Sequence, residues 1–292
     1  MILRSGVSYP PMNRDELIRL VKDLIWRSGV KPRKRLGQHF TVDPMLIEEM
    51  VELAKAYGCP SQTVVEVGTG FGFLTAPLSM ACGRVISIEV DRRIYMMARD
   101  ILAGFSNVEL VLGDAISLLE SIKGYQGVVG SIPYSITAPL LSTMARGDAE
   151  WAVLLLQKDV VDRISSPPGT REYGSISVLV NLAFRVKTGN IYPPTSFYPE
   201  PEVFSQTAIL EKRKGNIINK DLERFLKCLF SQRKRLAYKA VKKCLGIDIP
   251  RTETRVFQIS PEEIYAIYSR ARQIQVQGKS LQNQLAISRN HP

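Results

Sequence analysis

The chain has 292 residues, of which 45% are hydrophobic, and this is an ordinary composition for a globular protein with a sizeable core. No apolar run approaches the roughly 18 residues that a membrane-spanning helix needs, and acidic and polar residues come too early for a secretion signal, so we expect a cytoplasmic protein without a membrane partner. The net charge of +11 favours a polyanionic partner, with nucleic acid first, although basic proteins can also bind acidic membranes or simply stay soluble.

The first elements are two predicted helices joined by a basic linker. Residues 1–12 are interpreted as a loose tail. Asn13 and Glu16 form a capping-box pattern ahead of an apolar helix face, and Gly29 ends that helix. The linker at 31–35 follows, and Asp43-Pro44 opens the second helix, with Pro at its first position.

Strands and helices then alternate along the chain. Strand patterns occupy 64–67, 85–89, 108–112, 128–130 and 151–156, with further strands near 184–187 and 206–210, and helical patterns occupy 71–81, 92–103 and 138–145. Alternation of this kind predicts an α/β fold with a doubly wound, mainly parallel sheet.

The composition shifts near Lys214 toward helical spacing and a basic run. Asp248 to Arg255 is a break, and Ser260-Pro261 starts a last helix with acids in its first turn. We predict an N-terminal extension (1–30), a main domain (31–211), a small C-terminal helical domain (212–272) and a disordered, Gln-rich tail (273–292).

The numbers and positions of cysteine and histidine residues disfavour a metal site and a histidine-based catalytic triad. The four cysteines, Cys59, Cys82, Cys228 and Cys244, form no C-x-x-C pair and lie near no histidine at metal-ligand spacing. We interpret them as small apolar residues in a reducing compartment, and we expect no metal.

A glycine-rich turn follows the strand at 64–67. Glycines in Gly68-Thr69-Gly70-Phe71-Gly72 let the backbone come close to a ligand. A dinucleotide site has the pattern G-x-G-x-x-G, but here the third glycine comes one residue early and position 73 is Phe. The loop therefore disfavours a nicotinamide cofactor and favours a ligand without pyrophosphate, such as S-adenosylmethionine, with Gly68 and Gly70 as contacts.

Two carboxylates end the next two strands. Glu89 lies 21 positions after Gly68, where it can accept hydrogen bonds from both ribose hydroxyls. Asp114, followed by Ala115, can accept from the adenine amino group of the cofactor. Ligands of open parallel sheets bind at the carboxyl ends of strands, so these features together predict an adenosine-type ligand.

The fourth strand ends in Gly130-Ser131-Ile132-Pro133-Tyr134. An adenine amino nitrogen is a poor nucleophile because its lone pair is delocalised into the ring, and acceptors for its N–H groups make it more nucleophilic. Ser131 Oγ and the carbonyl of Ile132 or Pro133 can be those acceptors, and Tyr134 can stack on the base. With the target nitrogen placed in line with the transferred methyl group, this turn needs no general base and no metal.

These motifs resemble the ribosomal RNA adenine N6,N6-dimethyltransferase family, and the similarity runs from about Lys34 to Gly246. In chain order it covers R-L-G-Q-H-F at 35–40, E-V-G-T-G-F-G at 66–72, E-V-D at 89–91, G-D-A at 113–115, I-P-Y at 132–134, Q-K-D at 157–159, F-x-P-x-P-x-V-x-S at 197–205, and Phe230 with Arg233-Lys234 on a basic helix.

The resemblance implies a Rossmann-like methyltransferase that uses S-adenosylmethionine. It implies that His39, Thr41 and Ser131 also line the cofactor site, and that Phe197 is a second stacking partner for the target base. The implied substrate is a pair of adjacent adenosines in the last hairpin loop of small-subunit rRNA, within a pre-ribosomal small subunit, for a protein that acts as a monomer during ribosome assembly.

Candidate phosphate contacts are five basic residues: Lys34, Arg35, Arg233, Lys234 and Arg235. Two positions depart from the family pattern, since Ser131 stands where Asn is usual and Thr41 where Leu is usual. The Ser131 departure leaves open an alternative, a weakly active or inactive RNA-binding assembly factor that keeps the cofactor fold. A nicotinamide enzyme is a further, disfavoured alternative.

Overall fold

The structure is a computed structural model that describes residues 13–32, 37–215 and 217–288, with side chains described as far as residue 274. The described chain forms two compact units. The first contains the residues up to Asp162 together with Phe184–Gly215, and the second contains Arg163–Ala183 together with the residues after 216. The predicted domain border at 211/212 falls close to Gly215, but the segment Arg163–Ala183 joins the helical unit although it lies within the predicted main domain.

The first unit is built on a seven-stranded sheet. Its strands are Thr63–Val67 (β2), Arg84–Glu89 (β3), Val108–Leu112 (β4), Gly127–Ser131 (β5), Trp151–Gln157 (β6), Phe184–Tyr192 (β7) and Ser205–Lys212 (β9). They lie in the order β4-β3-β2-β5-β6-β9-β7. Strands β2 to β6 are mutually parallel, whereas β9 is antiparallel to both β6 and β7. The predicted mainly parallel, doubly wound sheet is confirmed.

Helices of the first unit flank this sheet. Their bounds are Arg14–Ser28 (α1), Pro44–Ala56 (α2), Thr75–Ala81 (α3), Arg92–Leu102 (α4), Ala115–Ser121 (α5), Thr137–Arg146 (α6) and Lys158–Ser165 (α7), the last of which runs into the second unit. A separate two-stranded ladder pairs Phe40–Thr41 (β1) with Phe197–Tyr198 (β8). The sequence patterns did not reveal α5, α7, β1 or β8.

Helix α1 is an integral part of the first unit. The Asn13–Glu16 capping box and the Gly29 C-cap form as predicted. Leu17, Val21 and Leu24 are buried in a cluster that includes residues of β1, the glycine loop and α4. Residues 1–12, predicted to be a loose tail, lie outside the described part of the chain.

The second unit is helical, as predicted. It contains Ser175–Ala183 (α8), Lys220–Phe230 (α9), Ala237–Leu245 (α10) and Pro261–Ser288 (α11). The tail predicted to be disordered from residue 273 forms part of α11 as far as Ser288, and residues 289–292 lie outside the described part of the chain. Gln is the commonest residue at 273–288, with five of the sixteen positions, and its good helix propensity explains why a polar segment is helical.

The interpretation of the cysteines as free was also wrong. The structure contains two disulfides, Cys59–Cys82 in the first unit and Cys228–Cys244 in the second. Cys228 lies near the end of α9 and Cys244 near the end of α10, so the disulfide between them depends on how the two helices pack. No helix among the described residues combines the length and the apolar character needed to cross a membrane.

Candidate cofactor and catalytic site

The main pocket of the first unit lies at the carboxyl edge of the parallel strands. Its lining residues lie at or just after the ends of the four neighbouring strands β2, β3, β4 and β5: Val67–Phe71, Glu89–Val90, Gly113–Ala115, and Ser131 with Pro133. The segment Gly37–Thr41, which ends in β1, also lines the pocket. Parallel strands bring their carboxyl ends to one edge, which is why motifs far apart in sequence meet here. Of the predicted site residues, the pocket gathers His39, Thr41, Gly68, Gly70, Glu89, Asp114, Ala115, Ser131 and Pro133.

Glu89 is held rigidly at the tip of β3. Its Oε2 accepts a hydrogen bond of 2.9 Å from the Gly70 amide, and its Oε1 accepts from the amides of Val90 and Asp91, both at 2.9 Å. Gly70 adopts a φ of +56°, which only glycine adopts at little cost, and this conformation aims its amide at the carboxylate. Burial raises the pKa of Glu89, and the three amide hydrogen bonds oppose that shift by favouring the ionised form.

A second carboxyl group lies beneath the glycine loop. Glu66 is fully buried, and its Oε2 accepts from Thr75 Oγ1 at 2.6 Å and from Ser87 Oγ at 2.5 Å. Ser87 also hydrogen-bonds Thr69 in the loop at 2.6 Å. Burial raises the pKa of Glu66 to about 7, and Oε1 has no hydrogen-bond partner. This network ties the loop to β2, β3 and α3.

Asp114 has a capping role as well as a place in the pocket. Its Oδ1 accepts from the Ser117 amide at 2.9 Å and from Ser117 Oγ at 3.0 Å, which caps α5. The carboxylate is exposed at the pocket rim, beside Ala115. The cap fixes the carboxylate in position, so the structural and the ligand-binding interpretations of this residue are compatible.

The segment Gly37–Thr41 closes one side of the pocket. Gln38 Nε2 donates to Asp91 Oδ2 at 3.3 Å, and the Phe40 ring stacks on Phe71 with centroids 4.5 Å apart. His39 Nδ1 lies 2.7 Å from the Pro199 carbonyl. A Cβ on Gly37 would come within 2.8 Å of Pro133, so the absence of a side chain there lets this segment pack directly on the turn that contains Pro133.

The turn predicted to be catalytic, Ser131–Tyr134 (hereafter the catalytic turn), begins at the end of β5. Ser131 is the last residue of β5 and faces the pocket. The Pro133 carbonyl already accepts from the Ile136 amide at 3.0 Å and from Thr137 Oγ1 at 3.4 Å, so the Ile132 carbonyl is the better candidate of the two predicted backbone acceptors. Tyr134 is half-buried and its hydroxyl hydrogen-bonds Ser205.

Three aromatic or apolar positions differ from the sequence-based prediction, the first being Tyr134, which does not itself line the pocket. Phe197 is 4% exposed, packs in a core cluster and does not line the pocket, so its stacking role stays a prediction. Val90, which was not singled out, lines the pocket with 61% of its surface exposed. An apolar residue directly after Glu89, the carboxylate predicted to bind the ribose, was the available signal, because it offers a flat base an apolar surface.

The residues predicted to contact phosphate differ in exposure and in their hydrogen bonds. Arg233–Arg235 lie in the turn between α9 and α10, not on a helix. Arg233 is engaged within the second unit: its Nη2 donates to the carbonyls of Thr170, Arg171 and Tyr173 at 3.0–3.3 Å. Arg233 is therefore a structural residue, whereas Lys234 and Arg235 are exposed. Lys34 and Arg35 lie outside the described residues.

The pocket fits S-adenosylmethionine. A buried, oriented carboxylate suits two ribose hydroxyls, a glycine loop leaves room for the amino-acid end, and the capped Asp114 suits an adenine amino group. Over the described residues, no cluster of three or more His, Cys, Asp or Glu side chains could hold a metal ion.

Comparison with known proteins agrees with this geometry. The family model "Ribosomal RNA adenine dimethylase" matches residues 29–266. A relative from Pyrococcus abyssi, a probable ribosomal RNA small subunit methyltransferase A, is 32% identical over 84% of this chain and 93% of its own length. The ribosomal RNA small subunit methyltransferase A of Thermotoga maritima is 30% identical over 86% of this chain and 89% of its own length.

Solved structures show the same fold. The crystal structure of a dimethyladenosine transferase from Plasmodium falciparum superposes with a TM-score of 0.69 at 21% identity, covering 78% of this chain and 96% of that one. Because the family model spans residues 29–266, most of the sequence, the chain belongs to the ribosomal RNA adenine dimethylase family, whose members are S-adenosylmethionine-dependent methyltransferases.

Proposed function

We propose that this protein methylates N6 of two adjacent adenosines in the 3′-terminal hairpin loop of small-subunit rRNA, acting as a monomer on a pre-ribosomal small subunit in the cytoplasm. The observation that carries the proposal is the position of Ser131 and Pro133 in the lining of the cofactor pocket, at the end of β5. The names of the relatives from Pyrococcus abyssi and Thermotoga maritima support rRNA of the small subunit as the substrate.

The catalytic turn supplies hydrogen-bond acceptors for the target amino group. Ser131 Oγ and the Ile132 carbonyl each accept from one N–H, which draws the nitrogen toward a tetrahedral, more nucleophilic geometry. Tyr134, held by its hydrogen bond to Ser205, stacks on the adenine ring. Bound S-adenosylmethionine would supply an electrophilic methyl group on a sulfonium. The residues of the turn contribute mainly by orientation, since they place the nitrogen in line with the transferred group.

Methyl transfer to defined hairpins tests the proposal. We would compare a 3′-terminal small-subunit rRNA hairpin, assembled with ribosomal proteins or free, with the same hairpin carrying guanosine at both target positions. We expect transfer of labelled methyl to the first substrate alone. Binding of S-adenosylmethionine without transfer to any small-subunit RNA would contradict the proposal and favour an assembly factor that keeps the cofactor pocket.

A further inference from the structure

Helix α1 presents an unusual solvent face. Its buried residues, Leu17, Val21 and Leu24, fix the orientation of the helix, and at 100° per residue Arg19, Lys22 and Trp26 lie on the opposite side. All three are exposed, and Trp26 is 81% exposed. A tryptophan this exposed fills no space in the protein, although aromatic burial is strongly favourable.

This face continues toward the catalytic turn through a chain of contacts within the first unit. The Lys22 ammonium lies 5.2 Å from the centroid of the Tyr198 ring. Tyr198 is followed by Pro199, whose carbonyl oxygen lies 2.7 Å from His39 Nδ1. The His39 ring in turn stacks on Tyr134, with ring centroids 6.0 Å apart. Basic and aromatic side chains therefore run from Trp26 to Tyr134.

The helix that carries this face is firmly anchored. The Arg14 guanidinium donates to the Thr195 carbonyl at 2.6 and 3.1 Å, at one end of α1. Arg93 Nη1 donates to the Gly29 carbonyl at 2.9 Å, at the other end. Two carboxylates lie on or beside this face: Asp23 is paired with Arg27 at 2.8 Å, and Asp15 is exposed in the first turn, four residues before Arg19. The backbone that carries the exposed side chains is therefore held in place at both ends of α1.

We propose that Arg19, Lys22, Trp26 and Tyr198 form a binding strip for the unpaired RNA that flanks the target adenosines, with Trp26 stacked on a base. Single-stranded RNA binding combines cations along the backbone with aromatic rings that stack on bases, and this strip offers both in a protein of net charge +11. The inference rests on the proposed function for its choice of RNA, but the binding that it describes does not require methyl transfer.

Tryptophan fluorescence gives a direct test, because the chain has two tryptophans and the other, Trp151, is 3% exposed. A ten-nucleotide single-stranded oligoribonucleotide should quench the emission of the native protein, whereas an abasic oligomer of equal length and charge should bind without quenching. Trp26→Leu should weaken binding of the oligoribonucleotide by about fivefold or more, and Trp26→Phe, which keeps a ring, by less than about twofold.

Two further measurements sharpen the result. Lys22→Gln should flatten the salt dependence of binding, whereas Lys123→Gln should not, since Lys123 is exposed four residues before β5, at the opposite edge of the sheet. In methylation of the rRNA hairpin, Trp26→Leu should raise KM for RNA with unchanged S-adenosylmethionine affinity. Unquenched Trp26 emission at saturating oligoribonucleotide, or native RNA affinity in Trp26→Leu, would overturn the strip. Quenching without methyl transfer would sustain the strip while rejecting the proposed function.

Discussion

The Gly70 amide and the Glu89 carboxylate are joined by a 2.9 Å hydrogen bond that connects the glycine loop to the tip of the neighbouring strand. The bond fixes the Glu89 carboxylate, which is predicted to bind the ribose, to the glycine loop. A substitution at either residue therefore disturbs both parts of the cofactor pocket.

Glu89→Ala should weaken S-adenosylmethionine binding by about ten- to a hundredfold, because it removes the acceptor for two hydroxyls and frees the loop amide. Glu89→Gln should also weaken binding, since three backbone amides donate to the carboxylate and one would meet the amide NH2 group. Isothermal titration calorimetry measures both. Glu109→Ala, at an exposed position on β4, is the matched control. Unchanged affinity in folded Glu89→Ala would reject this ribose site.

Glu66 should make stability depend on pH. Burial raises its pKa from 4.5 to about 7, so between these values the folded state holds a proton that the unfolded state has lost. The associated stability is present below about pH 4.5 and is lost as the pH rises through about 7, a change of about 3 kcal/mol in the free energy of unfolding. Denaturant unfolding at pH 5 and 8 should show this loss relative to Glu66→Gln. A difference between the two proteins that is independent of pH would contradict it.

Arg233 and its basic neighbours should separate into two roles. Arg233→Lys loses the guanidinium hydrogen bonds to three carbonyls and should lower the free energy of unfolding by about 2 kcal/mol. Lys234→Gln and Arg235→Gln should leave stability almost unchanged and reduce the slope of log RNA affinity against log salt by about 0.7–0.9 for each phosphate that is no longer neutralised. A native salt slope in the double variant Lys234→Gln/Arg235→Gln would exclude this turn from the RNA surface.

The two disulfides predict the reactivity of the four cysteines. Alkylation of the unfolded, unreduced protein should modify none of them, and mass spectrometry after reduction should find all four modified. Joint replacement of Cys228 and Cys244 by Ser should lower the free energy of unfolding by about 2–4 kcal/mol, because the bridge closes a loop between residues 16 positions apart. Alkylation of the unreduced chain at any of these positions would show that the pair concerned is not formed.

Sequence patterns were most informative where one local signal decided the outcome. Runs rich in Val and Ile predicted the parallel strands, and motifs at strand ends converged on one pocket because parallel strands share a carboxyl edge. Helix α3 was predicted to begin at Phe71 but begins at Thr75, since Gly72 holds a positive φ that a helix does not allow. Helix α8 was missed because its apolar residues also alternate as in a strand.

Long-range partners could not be read from the sequence. The run of basic residues shows that position 233 is an arginine, but it does not show that three backbone carbonyls accept hydrogen bonds from its guanidinium. Cysteines 23 and 16 positions apart carry no motif that pairs them. The burial of Phe197 depends on its ladder with Thr41, and that ladder joins segments 156 residues apart.

Single-turnover methylation of unmodified small subunits tests the central claim most directly, with nucleosides resolved by mass spectrometry. The native protein with S-adenosylmethionine should form N6-methyladenosine and N6,N6-dimethyladenosine in the 3′-terminal hairpin. Ser131→Ala should slow that transfer while keeping cofactor affinity nearly native, because it removes one acceptor for the amino group, and Ser131→Asn should preserve or raise the rate. Native rates in Ser131→Ala would assign the chemistry to the backbone carbonyl and Tyr134 alone. Absence of methylated adenosine with the native protein would contradict the account.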